Sequence, residues 1–220
     1  MTKIQIIPGD FNITDPDWPA FDFWPNGGIV TSDSFSGSGV ITGRYTDAAA
    51  GGMSRRWSAS DPETAWPIEG GTATLDYASS AGFRAGAFDY ATTIKIAALP
   101  EGVSGAFLGI QNRRTAISSD VVSFYVELRI LATGSVRLAA FHAGNLSSVE
   151  IITTVANACT VGDEVTLRTV GDTADILVNG AVVTSKTIPV DGMVPGWSVV
   201  RMLAASTAPS ISEYRLEAVN

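Results

Sequence analysis

Val122-Ser123-Phe124-Tyr125-Val126-Glu127-Leu128-Arg129-Ile130 decides the fold of this chain. Val122, Phe124, Val126, Leu128 and Ile130 alternate with Ser123, Tyr125, Glu127 and Arg129. A period of two is what a strand needs to bury one face and leave the other largely polar. Ala132-Thr133-Gly134 then reverses the chain into Ser135 to Phe141, which makes a hairpin. A second hairpin joins Ala174 to Val178 with Ala181 to Thr184 through Asn179-Gly180, the pair best suited to the positive φ angles of a type I′ turn.

Working outward, strands are expected at Thr72 to Tyr77, Ala87 to Ile96, Gly105 to Gln111, Val149 to Val155, Glu164 to Val170, Trp197 to Ala204 and Ile211 to Ala218. No window has the spacing of an amphipathic helix, and no repeat period appears. Many short antiparallel strands without crossover helices predict an all-β, two-sheet sandwich of jelly-roll type over residues 31 to 220. Residues 1 to 30 read differently. Phe11, Trp18, Phe21, Phe23 and Trp24 stand among prolines with no period, so the segment is expected to be an extended arm. Five large rings on an arm need an apolar partner, either the chain's own sandwich or another subunit.

The chain has 220 residues, 45% of them hydrophobic and 16% charged, enough for a packed core and unlike a disordered segment. Its formal net charge of -8 argues against neutralising phosphates, so no nucleic-acid partner is expected. Eleven Arg stand against three Lys, and Arg55-Arg56 and Arg113-Arg114 are too isolated to form a basic patch. Cys159 is the single cysteine, so no intrachain disulfide is expected, and its surroundings suit a small buried hydrophobe. The first residues lack a secretory pattern, and no apolar stretch of about 20 residues is present to span a bilayer. Synthesis in a host cytoplasm is the expectation.

Asp33-Ser34-Phe35, Gly43-Arg44-Tyr45-Thr46-Asp47, Trp57 and Trp66-Pro67-Ile68-Glu69-Gly70-Gly71 follow one another in a fixed order. With the strand Asp89 to Ile96, the Asn179-Gly180 hairpin and the closing strand Ile211 to Leu216, this order resembles the concanavalin A-like (laminin G-like) lectin and glucanase sandwich. In particular it resembles the modules found in minor tail and other virion-surface proteins of bacteriophages, chiefly those of actinobacteria. The resemblance implies a non-enzymatic virion structural protein on the surface of a tail or capsid, as a minor tail or decoration protein. It would be attached to other virion subunits through the arm, occur as a homo-oligomer, and contact host-surface polysaccharide. A free carbohydrate-binding lectin and a glycan hydrolase are the alternatives.

Catalytic chemistry is not expected. Hydrolases of this superfamily carry Glu, Asp and Glu at alternating positions of one strand, and retaining hydrolysis needs two carboxyls about 5 Å apart. Here Asp15 and Asp17 are split by a proline, as are Asp61 and Glu63. Glu213 and Glu217 are separated by roughly 13 Å of strand rise. His142 is the only histidine and ends a strand, so neither a His-rich metal site nor a triad is expected. No cofactor is expected. The family often holds one structural calcium between an acid near the first strand and an Asp on the last. The resemblance therefore names Asp33 as a calcium ligand, but Ser212-Glu213 stands where paired Asp is frequent. For glycan, Trp57 and Trp66 flank a polar loop containing Asp61 and Glu63. Exposed, the rings would stack on sugar while the acids accept hydroxyl hydrogen bonds; the resemblance also allows them to be core.

Overall fold

The computed structural model describes residues 28–47, 56–59, 66–75, 80–85, 89–101, 105–115, 124–142, 150–188, 197–203 and 207–219. The arm residues Phe11, Trp18, Phe21, Phe23 and Trp24 and the loop acids Asp61 and Glu63 lie outside them. The described residues contain strands and no helix, so none offers a helix able to cross a membrane. In chain order the strands are β1 (Gly28–Asp33), β2 (Gly39–Val40), β3 (Ser58–Ala59), β4 (Pro67–Glu69), β5 (Thr72–Thr74), β6 (Ser80–Arg84), β7 (Tyr90–Ala98) and β8 (Phe107–Arg114). They continue with β9 (Phe124–Leu131), β10 (Val136–His142), β11 (Glu150–Val155), β12 (Glu164–Val170), β13 (Thr173–Val178), β14 (Ala181–Thr187), β15 (Trp197–Leu203) and β16 (Ser210–Ala218). β1 opens at Gly28, inside the segment assigned to the arm.

Two antiparallel sheets result. One is nine-stranded, in the order β14-β13-β12-β7-β16-β5-β4-β2, with β1 also on β16. β7 runs along one edge of β16, and the other edge is shared by β5, opposite Ser210 and Ile211, and by β1, opposite Tyr214 to Ala218. The second sheet is seven-stranded, in the order β11-β10-β9-β8-β15-β6-β3. This is the expected all-β jelly-roll sandwich. Asn179 and Gly180 have φ of 50° and 79°, as a type I′ turn requires, and they join β13 to β14.

Between the sheets lie Phe35, Trp57, Trp66, Ile94, Ile110, Phe124, Leu128, Ile130, Leu138, Leu167, Ile176 and Leu216, all buried. A polar chain crosses the same interior. The Thr92 hydroxyl bonds Asn112 Oδ1 and Ser198 Oγ, each at 2.7 Å, and Ser198 Oγ meets the Tyr214 hydroxyl at 2.6 Å. Asn112 Nδ2 donates to the Leu167 carbonyl at 2.9 Å, which ties β8 to β12 in the opposite sheet. Buried polar groups joined in this way fix how the two layers face each other.

β9 departs from the expected pattern. Phe124, Val126, Leu128 and Ile130 face the core, but Tyr125 and Glu127, on the face read as largely polar, are also buried, at 7% and 0% exposure. Alternation assigns side chains to faces; it does not say that one face is wet.

Candidate functional site

The opening motif forms a structural clasp. Asp33, buried at the end of β1, accepts from the Phe35 amide at 2.8 Å, from Trp57 Nε1 at 2.8 Å, and from Arg44 Nε and Nη2 at 3.2 and 3.1 Å. Asp47 takes the Ser34 amide and hydroxyl at 2.9 and 2.6 Å, which hold its carboxyl below the usual carboxylate range. A calcium ion does not fit this arrangement. Both Asp33 oxygens are engaged by donors, and a guanidinium already supplies the neighbouring positive charge. Glu213, the acid in the terminal position, points to the solvent side of β16, where it meets Lys95 Nζ at 3.3 Å. Tyr214, the residue opposite Asp33, is core.

Trp57 and Trp66 are 1% and 0% exposed, which makes them core, one of the two readings left open above, and corrects the other, a sugar-stacking platform. The Trp57 ring packs edge-on against Tyr214 at 5.0 Å and lies 6.1 Å from Phe35. A ring enclosed on both faces has nothing to offer a ligand. His142 ends β10 opposite Phe124. Cys159 is buried, its thiol pushed up to about 11 by burial and by Asp163, so it is no nucleophile. Among the described residues, no group of three or more His, Cys, Asp or Glu is placed to hold a metal.

Chemistry gathers instead on the outer face of the seven-stranded sheet, the face turned away from its partner sheet. Register brings three rows together. Phe141 lies opposite Tyr125; Ala139, Glu127, Gln111 and Val199 follow across β10, β9, β8 and β15; Arg137, Arg129, Gly109 and Arg201 form the next row. Glu127 is the centre. It accepts from Gln111 Nε2 at 2.8 Å and from Arg129 Nε at 2.5 Å, and Arg201 Nε lies 3.7 Å away. Arg114 Nη1 donates to Gln111 Oε1 at 2.5 Å. Burial, with Arg201 close by, pulls the Arg114 guanidinium down to about 10. Burial and the charge of Glu127 push the Tyr125 phenol up.

Aromatic rings complete the face. Phe141, half-buried, stacks on Tyr125 with ring centroids 5.1 Å apart and planes 14° from parallel. The Phe107 ring lies over Gly109, where a Cβ would approach it to 3.1 Å, and the Arg129 and Arg201 guanidiniums stand 4.5 and 5.5 Å from its centroid. Glycine at 109 therefore makes room for the Phe107 ring between the two arginines.

The opposite outer face, on the nine-stranded sheet, is arranged differently. There Lys95 meets Glu213, Arg168 meets Asp175, and Arg215 meets both Glu164 and Glu217. These are partly exposed pairs of opposite charge, the usual composition of a solvated surface.

No family model matches the chain, and no curated protein is similar to it in sequence. Solved structures do resemble it. The carbohydrate-binding module CBM66 from Bacillus subtilis superposes with a TM-score of 0.51 at 11% identity, over 74% of this chain and 95% of that one. LamAcat from Zobellia galactanivorans gives 0.53 at 9% identity, over 86% and 96%. SCLam, a non-specific endo-β-1,3(4)-glucanase of family GH16, gives 0.54 at 13% identity, over 87% and 91%. The likeness is one of fold. The chain has the jelly-roll sandwich shared by carbohydrate-binding and glucanase modules, and at such identities nothing more specific transfers.

Proposed function

We propose that this chain is a non-catalytic carbohydrate-binding module whose ligand seats on the outer face of the seven-stranded sheet. One observation carries the reading. That face, unlike its counterpart, holds a buried hydrogen-bonded centre at Glu127 and Gln111, flanked by a half-buried aromatic ring, Phe141. A ring face beside positioned polar groups is how proteins hold sugars; here the buried Glu127 and Gln111 position the partly exposed Arg129 and Arg201, whose guanidiniums are the donors within reach of a ligand. The fold it shares with carbohydrate-binding and glucanase modules supports the same reading.

The carboxylates support binding without turnover. Glu127 is the one carboxylate engaged in this cluster among the described residues, and Gln111 and Arg129 hold it. Hydrolysis with retention needs a second carboxyl about 5 Å away, and with inversion one at roughly 6.5 to 9.5 Å. Phe141→Ala is expected to weaken binding on a glycan array while leaving the melting curve intact. Release of reducing ends from any bound glycan, abolished by Glu127→Gln, would replace this reading with a hydrolase.

Attachment to a phage virion, as a minor tail or decoration protein bearing many copies, rests on the resemblance of the opening motif and on the aromatic residues of the arm. Repeated copies would raise the effective concentration of a weak sugar site. Mass spectrometry of purified virions tests it. Absence of the chain from the particle would leave a free lectin.

A further inference from the structure

We propose that the same face selects an anionic glycan, one whose sugars carry carboxylate, sulfate or phosphate groups. The inference rests on the glycan-binding reading and adds the ligand's charge class. Arg137 lies opposite Arg129, Arg129 opposite Gly109, and Gly109 opposite Arg201, so three arginines occupy one cross-strand row. Directly opposed like charges repel, so such a row needs anions to hold it. Among the described residues the protein supplies one. Glu127 serves Arg129 and Arg201, and no acid among the described residues pairs with Arg137. The Arg137 Nε atom is buried and has no hydrogen-bond partner. A buried donor left unmade is costly, and an incoming anion supplies the missing acceptor.

Arg114, which donates to Gln111 on the side away from the arginine row, adds a fourth guanidinium to a face on which Glu127 is the carboxylate found among the described residues, in a chain whose formal net charge is -8. The excess of acid is elsewhere, including Glu164, Glu213 and Glu217 on the far face of the other sheet. Those acids lie more than one sheet spacing away, about 10 Å, and are already paired with Lys95 and Arg215 on their own face, so they do not serve the arginine row. Guanidinium forks match the planar geometry of carboxylate and the oxygens of sulfate or phosphate. From Arg137 to Arg201 is three strand spacings, about 14 Å, which suits a run of charged sugars better than a single one.

The test pairs each charged polymer with its neutral counterpart: polygalacturonate with its methyl ester, and dextran sulfate with dextran. Single-stranded DNA serves as a polyanion without a glycan's chemistry, and affinity electrophoresis reads all arms. At least one charged glycan should bind about tenfold or more tightly than its neutral form, and the binding should weaken with added salt. Arg137→Ala should lose most of that preference at an unchanged melting midpoint, and Arg137→Lys should restore part of it. If Arg137→Ala is less stable than the parent, Arg137→Gln keeps the stem and removes only the charge. Equal binding of charged and neutral forms would overturn this inference and leave the glycan-binding reading standing. Binding of no glycan at all would overturn both. DNA bound as tightly as the charged glycan would make the face a general anion surface and also overturn the proposal.

Discussion

The Trp57 indole donates to the Asp33 carboxylate at 2.8 Å across 24 residues of sequence, and the same carboxylate takes the Arg44 guanidinium at 3.1 Å. Two side chains that sequence patterning offers as a sugar platform and a metal ligand are thus partners in one buried clasp.

Since Arg44 provides the positive charge at Asp33, neither calcium nor a chelator should move the thermal midpoint. Arg44→Met should lower stability by about 3 kcal/mol, because it leaves a carboxylate in the core with its charge uncompensated. Calorimetry with added calcium and with EDTA checks the first point. A calcium-dependent rise in midpoint would restore the ion.

Trp57→Ala and Trp66→Ala should each cost about 3 to 5 kcal/mol, the usual range for emptying a core aromatic site. Glycan binding by whatever fraction stays folded should match the parent. Denaturant unfolding combined with a binding assay separates the two effects, and lost binding at unchanged stability would return the tryptophans to a ligand site.

Stability should fall under alkaline conditions, from an onset near pH 9. The Cys159 thiol is raised from 9.0 to about 11, and burial pushes the Tyr90 and Tyr214 phenols well above their ordinary value of 10.0. In each case the fold favours the protonated form. The contribution is therefore complete below the unfolded chain's value and is lost as pH climbs toward the folded one. Each group adds a slope of about 1.4 kcal/mol per pH unit. Urea midpoints from pH 8 upward should begin to drop with the thiol and drop faster with the phenols, and Cys159→Ala should remove the first part of the decline.

Gly134→Ala should destabilise by at least about 2 kcal/mol. Its φ is 72°, and a Cβ there would fall 2.0 Å from the Cys159 carbonyl oxygen. The Gly134 carbonyl also accepts from the Ala158 and Cys159 amides at 2.9 and 3.0 Å, so the β9–β10 turn anchors the segment leading to β12. Thermal denaturation checks this, and a midpoint within a degree or so of the parent would show that the turn relaxes freely.

The long strands were legible because their patterns are long. Glu164 to Val170 is found with the expected bounds, and the Asn179-Gly180 turn fixed its hairpin because few other pairs tolerate two successive positive φ angles. β2 and β3, of two residues each, and the three-residue β4 carry too few positions for any period to register. The candidate binding face was hidden for another reason. Its members Gln111, Glu127, Arg137 and Arg201 come from four strands, and each alone looks like an ordinary solvent-facing residue. Only pairing register reveals that they share two adjacent rows. Trp57 and Trp66 stayed open between two readings, since a tryptophan beside polar residues reads alike whether it faces the loop or the core.

β1 and β16 are antiparallel neighbours, with Gly28 opposite Ala218 and Asp33 opposite Tyr214. Chain preceding residue 28 and chain following residue 218 therefore leave from the same corner. Tension applied through those two points would load the ladder at one end and open it pair by pair, like a zipper, instead of shearing all its hydrogen bonds together. If the module is held through the chain that precedes β1, pulling on a ligand bound to the other sheet would still pass through β1 and load that ladder. The strength of such a tether would then depend on which strand bears the load, as well as on how tightly the sugar is held.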